Sequence, residues 1–305
     1  MFGSAQYNYE NFQKSELLKL MTGKFRGPKP GESAPNFKAR TLDGDKIKLS
    51  DFRGDKNVVL TFGSVSCPMT AGSIGGLNDL YDDYRDEDVE FFLIYVREAH
   101  PGEEVPAHES YDDKVRAAEL LRDEEDVEMP ILVDDVSGNI HRDYGRMPNS
   151  TYIIDKSGRV AFRALWTRPN MIHEALDELL ERQADRDVEH AVVHGGEDRS
   201  VPVKYGLLHS HRALRRAGRQ AVDNFRREMG IPGRVAFATS RAVEPIALNP
   251  GKALLAAGLA AGVITAGLFG GWKLRQLFRA RTRLPYDVHR PAEWDKSGGY
   301  EAVGI

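Results

Sequence analysis

Apolar residues gather into short dense runs between residues 34 and 184, and the runs switch between a period near two and a period near 3.6. Val58-Val-Leu-Thr-Phe62 and Val89-Glu-Phe-Phe-Leu-Ile-Tyr-Val96 are near-continuous apolar stretches of strand length, which predicts central strands buried on both faces. Asp43-Gly44 between two alternating runs predicts a hairpin over residues 34–54. Residues 68–85 and 110–124 carry helical spacing, the second with Ala117, Ala118, Leu120 and Leu121 on one side. Pro130–Val133 reads as a short strand and Ile140–Tyr144 as a short helix. A second hairpin, Ser150–Asp155 and Arg159–Trp166 about the turn Lys156-Ser-Gly158, precedes a helix over 171–183. Strands alternating with helices and closing on a hairpin predict an α/β fold, a mixed sheet flanked by helices on both faces.

The flanks have other patterns. Residues 1–30 show a short amphipathic spacing (Phe12, Leu17, Leu18, Leu20, Met21) that stops at the hinge Gly27-Pro28-Lys29-Pro30-Gly31. They are read as an N-terminal helical extension to a domain over 31–184. Residues 185–250 read as a basic linker with an amphipathic helix, Ala213–Arg227, suited either to an anionic membrane surface or to solvent. Ala253 to Trp272 carries no charge, and at 1.5 Å per residue a helix of that length spans about 30 Å, a bilayer core. Trp272 and then Lys273, Arg275 and Arg279 suit the headgroup layer. Residues 251–273 are therefore read as a single transmembrane helix, and 274–305 as a basic then polar tail. Gly258-x-x-x-Gly262 and Gly267-x-x-x-Gly271 leave faces for a second membrane helix, so the expected partners are the lipid bilayer and another membrane protein.

Charge sharpens the placement. Lys and Arg cluster more heavily after the span than before it, which favours a cytoplasmic tail. The N-terminus lacks the basic-then-apolar run of a signal peptide, and the basic segment 212–227 favours keeping the domain inside. The expectation is a single-pass membrane protein with its α/β domain in the cytoplasm. With 42 Lys and Arg against 46 Asp and Glu, the chain has no basic field to suggest nucleic acid.

Candidate chemistry centres on Cys67. It is the chain's 1 cysteine, which excludes an internal disulfide and makes disulfide exchange depend on an external thiol. Cys67-Pro68 stands where the strand 58–62 gives way to a helix. A thiol there faces unpaired N–H groups and the positive end of the helix dipole, and both favour thiolate, the nucleophilic form. A lone cysteine also serves as a small buried hydrophobe. The hydroxyls of Ser66 and Thr70 fall within reach of the sulfur. His100 follows the strand 89–96 at its C-terminal end, the edge where open α/β sheets bind ligands, and a histidine there protonates a leaving group near neutral pH. Glu98, two residues earlier, points to the same side and orients the imidazole. His190 and His194 have i, i+4 spacing without a third ligand, so no metal site and no bound cofactor is assigned.

The unit strand–Cys67-Pro68–helix, followed by Met147-Pro148-Asn-Ser-Thr-Tyr-Ile-Ile-Asp-Lys-Ser-Gly158, resembles the thioredoxin-like superfamily in its redoxin and peroxiredoxin branch. That resemblance implies a cis peptide at Pro148, packed beside the cysteine. Phe62-Gly-Ser-Val-Ser-Cys67-Pro68 with Ile94-Tyr-Val-Arg-Glu-Ala-His100, Pro106-Ala-His108 and Lys114–Leu121 is similar, more narrowly, to the iodothyronine deiodinases. Their selenocysteine falls at Cys67, their Glu-Ala-His element at Glu98-Ala99-His100, and a further active-site histidine at His108. The likeness covers about residues 31–184. Thr70 stands where thioredoxins have a second cysteine, and Ser64 where peroxiredoxins have an activating hydroxyl.

Two readings follow. One is a membrane-anchored, deiodinase-like thiol oxidoreductase with a single nucleophilic cysteine and an external thiol reductant, its site built from Cys67, Thr70, Glu98, His100, His108 and Pro148. The other is a non-catalytic subunit of a respiratory or photosynthetic membrane complex that docks through this domain and the transmembrane helix. Retention of the motif residues together favours the first.

Overall fold

The computed structural model describes residues 7–15, 18, 26–186, 190–193 and 201–248. The transmembrane reading of 251–273, the tail 274–305 and Leu17, Leu20 and Met21 lie outside them. Among the described residues no helix is long and apolar enough to cross a membrane.

Seven strands form one mixed sheet in the order β2-β1-β5-β4-β3-β6-β7. β3 (Asn57–Gly63) and β4 (Val89–Tyr95) are parallel and central, with Val59 opposite Phe91 and Gly63 opposite Tyr95. β5 (Ile131–Val133) continues the parallel set beside β4. Antiparallel pieces complete both edges: the predicted hairpin β1 (Lys38–Thr41) and β2 (Lys46–Lys48) on one side, β6 (Thr151–Ile154) and β7 (Val160–Ala164) on the other.

Every residue of β3 is buried, as its unbroken apolar run requires of a central strand covered on both faces. One face packs Val59, Phe91 and Ile153 under helices α1 (Pro68–Tyr84), α2 (Tyr111–Glu125) and α4 (Pro169–Arg186). Val58, Leu60 and Phe62 fill the opposite face, with Leu49 of a 3₁₀ turn over Leu49–Phe52 and Ile140 of the short helix α3 (Asn139–Asp143). Ser110 and Asp113 start α2 with a reciprocal capping box.

Two expectations for the flanks change. Residues 8–13 lie outside helix and strand, although Tyr7 and Phe12 are both buried. Residues 201–248 form α5 (Val201–Ala217) and α6 (Arg219–Leu248, broken at Gly230), which pack on the domain. Two of the arginines read as a membrane or solvent face pair with the domain. Arg212 pairs with Glu125 at 2.8 Å, and Arg216 pairs with Glu125 and, at 3.2 Å, with Glu124, all at the C-terminal end of α2.

Candidate active site

β3 ends at Gly63, and Ser64-Val65-Ser66 turn the chain into α1. Cys67 is the N-cap in an extended conformation, and Pro68 occupies the first turn, where its missing N–H loses nothing. The Cys67 N–H donates to the Ser64 carbonyl at 3.2 Å, and the Cys67 carbonyl accepts from the Ala71 N–H at 3.1 Å. Gly63 is required by what folds back over it: a Cβ there would stand 2.7 Å from Thr70 Cγ2 and 2.9 Å from Thr70 Oγ1. Thr70 Oγ1 in turn accepts from the Ser64 N–H at 3.4 Å.

The sulfur has the surroundings expected of a helix start, but a different protonation state. Cys67 is 2% exposed. Burial pushes its thiol up, and the Glu98 charge pushes the same way. The Thr70 amide, the Thr70 hydroxyl and the Met69 amide pull it down without offsetting the burial. Burial thus outweighs the helix start, and the Cys67 thiol is held above its ordinary range rather than below it.

Glu98 is the centre of the polar network. It is buried, with Oε2 accepting from the Ser66 N–H (3.1 Å) and the Ser66 hydroxyl. Oε1 accepts from the Tyr95 hydroxyl and lies 3.3 Å from His108 Nε2, an ion-pair distance without hydrogen-bond alignment. Burial raises the Glu98 carboxyl, but His108, Ser66 and Tyr95 outweigh it and hold the group below its ordinary range.

The expected pairing of Glu98 with His100 takes another form. The carboxylate engages His108, and it reaches only the His100 main chain, through Ser66, whose hydroxyl accepts the His100 backbone N–H at 3.0 Å. Ser64 adds a parallel tie by accepting from the Ala99 N–H at 3.2 Å. Residues 64–67 and 98–100 are thus laced together by two serines and a carboxylate. The His100 ring is buried, with Nδ1 lacking a hydrogen-bond partner. Burial pushes His100 down to about 3 against the pull of Glu98, so the closed form holds a neutral imidazole rather than a group poised near neutral pH.

Pro148 departs from the resemblance: no described peptide bond is cis. Gly145 (φ 94°) and Arg146 (φ 64°) take up the chain reversal ahead of β6, and the Met147 carbonyl is fixed 2.9 Å from His141 Nε2, which leaves Met147–Pro148 trans. Asn149 reaches the Phe62 carbonyl at 3.4 Å, so this segment does meet the end of β3 that leads to Cys67. Tyr95 and the serine ties were not singled out from the sequence. A tyrosine closing an otherwise apolar central strand was the available signal. His190 pairs with Asp155, and His194 lies outside the described residues. Among the described residues no three metal-binding side chains converge.

The site is roofed from both ends of the chain. Arg212 of α5 donates to the Ala71 carbonyl at 3.0 Å, and Tyr205 and His209 of α5 lie against Gly72. The His100 ring lies 4.4 Å from Phe12 and 5.3 Å from Phe225 of α6, centroid to centroid.

The sequence profile of the iodothyronine deiodinases matches residues 10–184, which hold all of this network and leave α5 and α6 outside. Type I iodothyronine deiodinase of Xenopus laevis is 29% identical over 142 residues, covering 44% of this chain and 55% of that one. The chain spans about half the length of the curated deiodinases it matches. The thiol-disulfide oxidoreductase ResA of Bacillus cereus is 30% identical over 150 residues, covering 49% of this chain and 71% of that one. Among solved structures, the exposed lipoprotein thioredoxin Etrx1 of Streptococcus pneumoniae is similar at 25% identity, with a TM-score of 0.38 over 48% of this chain and 100% of that one.

Proposed function

We propose, from the premise that this chain belongs to the iodothyronine deiodinase family, that it is a one-cysteine thiol oxidoreductase with Cys67 as nucleophile and an external thiol as reductant. Its relatives among the deiodinases and the thiol-disulfide oxidoreductases support a redox function. The observation that carries the finer reading is the lacing of the Cys67 turn by Ser66 to the Glu98 carboxylate and to the backbone N–H of His100, which holds that turn against the Glu98–His100 loop.

In this reading the Cys67 thiolate attacks an electrophilic atom X of a substrate R–X, where X is halogen, peroxide oxygen or disulfide sulfur. The neutral His100 imidazole takes the Cys67 proton, the S–X bond forms, the R–X bond breaks with its electron pair going to R, and R takes that proton from His100. Cys67 is oxidised and the substrate reduced by two electrons. One external thiol then displaces X from sulfur as HX, giving a mixed disulfide. A second releases Cys67 and leaves the external disulfide. When X is already a disulfide sulfur, the mixed disulfide forms in the first step.

Membrane attachment through residues 253–272, with the domain on the cytoplasmic side, belongs to the same proposal and rests on that uncharged run. One observation favours the alternative of a non-catalytic membrane-complex subunit: Cys67 is sealed and protonated in the closed form.

The deciding experiment purifies the full chain from native membranes in mild detergent and assays thiol-dependent peroxidase and dehalogenase turnover, with Cys67→Ser in parallel. The expected result is turnover that the substitution abolishes. Stoichiometric co-purification with a large assembly, and no turnover sensitive to Cys67→Ser, overturns the enzyme reading.

A further inference from the structure

A nucleophile that is 2% exposed reacts with nothing until part of its cover moves, so the parts of that cover must be compared. The α5–α6 side is firmly tied. Arg212 and Arg216 pair with Glu125 on α2, and the Glu103 carboxylate accepts from the Arg219 and Gln220 N–H groups at the first turn of α6. The sheet edge itself is held by its backbone ladder. Met147, Leu165 and Trp166 pack against Met69, and a further piece is the strap Tyr7–Phe12, outside helix and strand from residue 8 onward and anchored by its side chains and the Tyr7 carbonyl.

Its anchors fall on the loop that carries Glu98 and His100 and on the segment 136–142 that follows β5. Tyr7 is 1% exposed, with its hydroxyl 2.6 Å from His141 Nδ1 and the Arg97 guanidinium 5.1 Å from its ring centroid. The ring lies so close to Gly138, at φ 71°, that a Cβ there would stand 2.0 Å from Tyr7 Cζ. Asn8 donates to the His108 carbonyl at 3.0 Å, and the Tyr9 hydroxyl donates to the Ala99 carbonyl at 3.0 Å. Phe12 closes the series on the His100 ring and lies 6.1 Å from Phe225. Releasing these contacts breaks no strand pairing and no helix.

We propose that the strap Tyr7–Phe12 is an intramolecular lid: closed, it seals the Cys67–His100 site against α6, and its release admits substrate and the reducing thiol. The inference rests on Cys67 being the reactive group, but its test needs no turnover. When closing is fast, the alkylation rate of a buried thiol tracks the population of the open form. In the full chain, Tyr7→Ala combined with Phe12→Ala is expected to speed iodoacetamide labelling of Cys67 by about tenfold or more, with the circular dichroism spectrum kept. Amide exchange of residues 8–12 is expected to be faster than that of α5. Labelling within about twofold of the parent overturns the lid. So does a larger acceleration from Arg216→Ala, which loosens the hairpin instead. Should the double variant fail to fold, Tyr7→Phe removes only the hydroxyl on His141 and is expected to speed labelling severalfold; an unchanged rate also overturns the proposal.

Discussion

Glu98 shows how one side chain decides the character of a site. A buried carboxylate is unfavourable on its own, and this one is kept charged by donors on Ser66 and Tyr95 and by the nearby His108 ring. Glu98→Gln keeps the shape but loses the charge and turns an NH2 group toward some of those donors. Charge-assisted hydrogen bonds contribute about 1.5–3 kcal/mol each, so a loss of about 3 kcal/mol in urea-unfolding free energy is expected. Tyr95→Phe removes one donor and is expected to lower stability by about 1–2 kcal/mol in the same measurement. Thr70 acts on the other partner. Its hydroxyl opposes the burial that keeps Cys67 protonated, so Thr70→Val is expected to move the pH midpoint of Cys67 alkylation upward. An unmoved midpoint would mean the hydroxyl does not touch the thiolate.

Among the elements, β3, the turn and α1 were legible in the chain because each has a local cause. A continuous apolar run makes a central strand, Gly63 admits Thr70, and Pro68 starts the helix. The hairpin at Asp43-Gly44 was legible for the same reason, with Gly44 at φ 94°. Cys67, Glu98, His100 and His108 were found in order, but not their wiring, because the Ser66 bridge joins residues thirty-two apart and no periodicity encodes it. The same limit hid the roof. Arg212 and Arg216 look like a solvated or membrane face until Glu125 of α2 is known to lie opposite, and Phe12 looks like part of a helix until it meets His100. Arg216 carries a prediction at this scale. Its guanidinium and the Glu125 carboxylate are both largely buried, and burial pushes Glu125 up despite Arg216 and Arg212. Arg216→Met leaves that carboxylate with one partner, and a loss of about 3 kcal/mol in unfolding free energy is expected. Adding Glu125→Gln to Arg216→Met should restore part of it. If the double variant is no more stable than the single, the ion pair is not what fastens the hairpin.

For the whole molecule, the buried imidazoles set the response to acid. His100 is pushed down to about 3 by burial, against Glu98, and His141 is pushed well below its ordinary value by burial with Arg97 adding to it. His209, between Tyr205 and α1, is pushed down to about 3 by burial with Arg212 and Arg216 adding to it. For His100 and His209 the folded chain binds fewer protons than the unfolded chain between about pH 3 and 6.5, and His141 acts in the same direction below its ordinary value. The stability these groups contribute is therefore complete above 6.5 and is lost as pH falls. Asp134 has the opposite sign. Burial raises it to about 6 against Lys114, so its contribution is present below its unfolded value of 3.8 and is lost as pH rises through about 6. Each fully shifted histidine contributes about 1.4 kcal/mol per pH unit, and solvent reduces the share of the less enclosed His209. The histidines outnumber Asp134, so the sum still falls toward acid. Urea unfolding from pH 7 to 5 is expected to show a steady loss of stability that sets in near 6.5 and steepens toward 5, with Asp134 offsetting about one histidine's share below 6. His209→Asn is expected to flatten that slope. A pH-independent unfolding free energy over this range would show that the buried imidazoles reach water in the native state, and with it that the roof over Cys67 is not closed in solution.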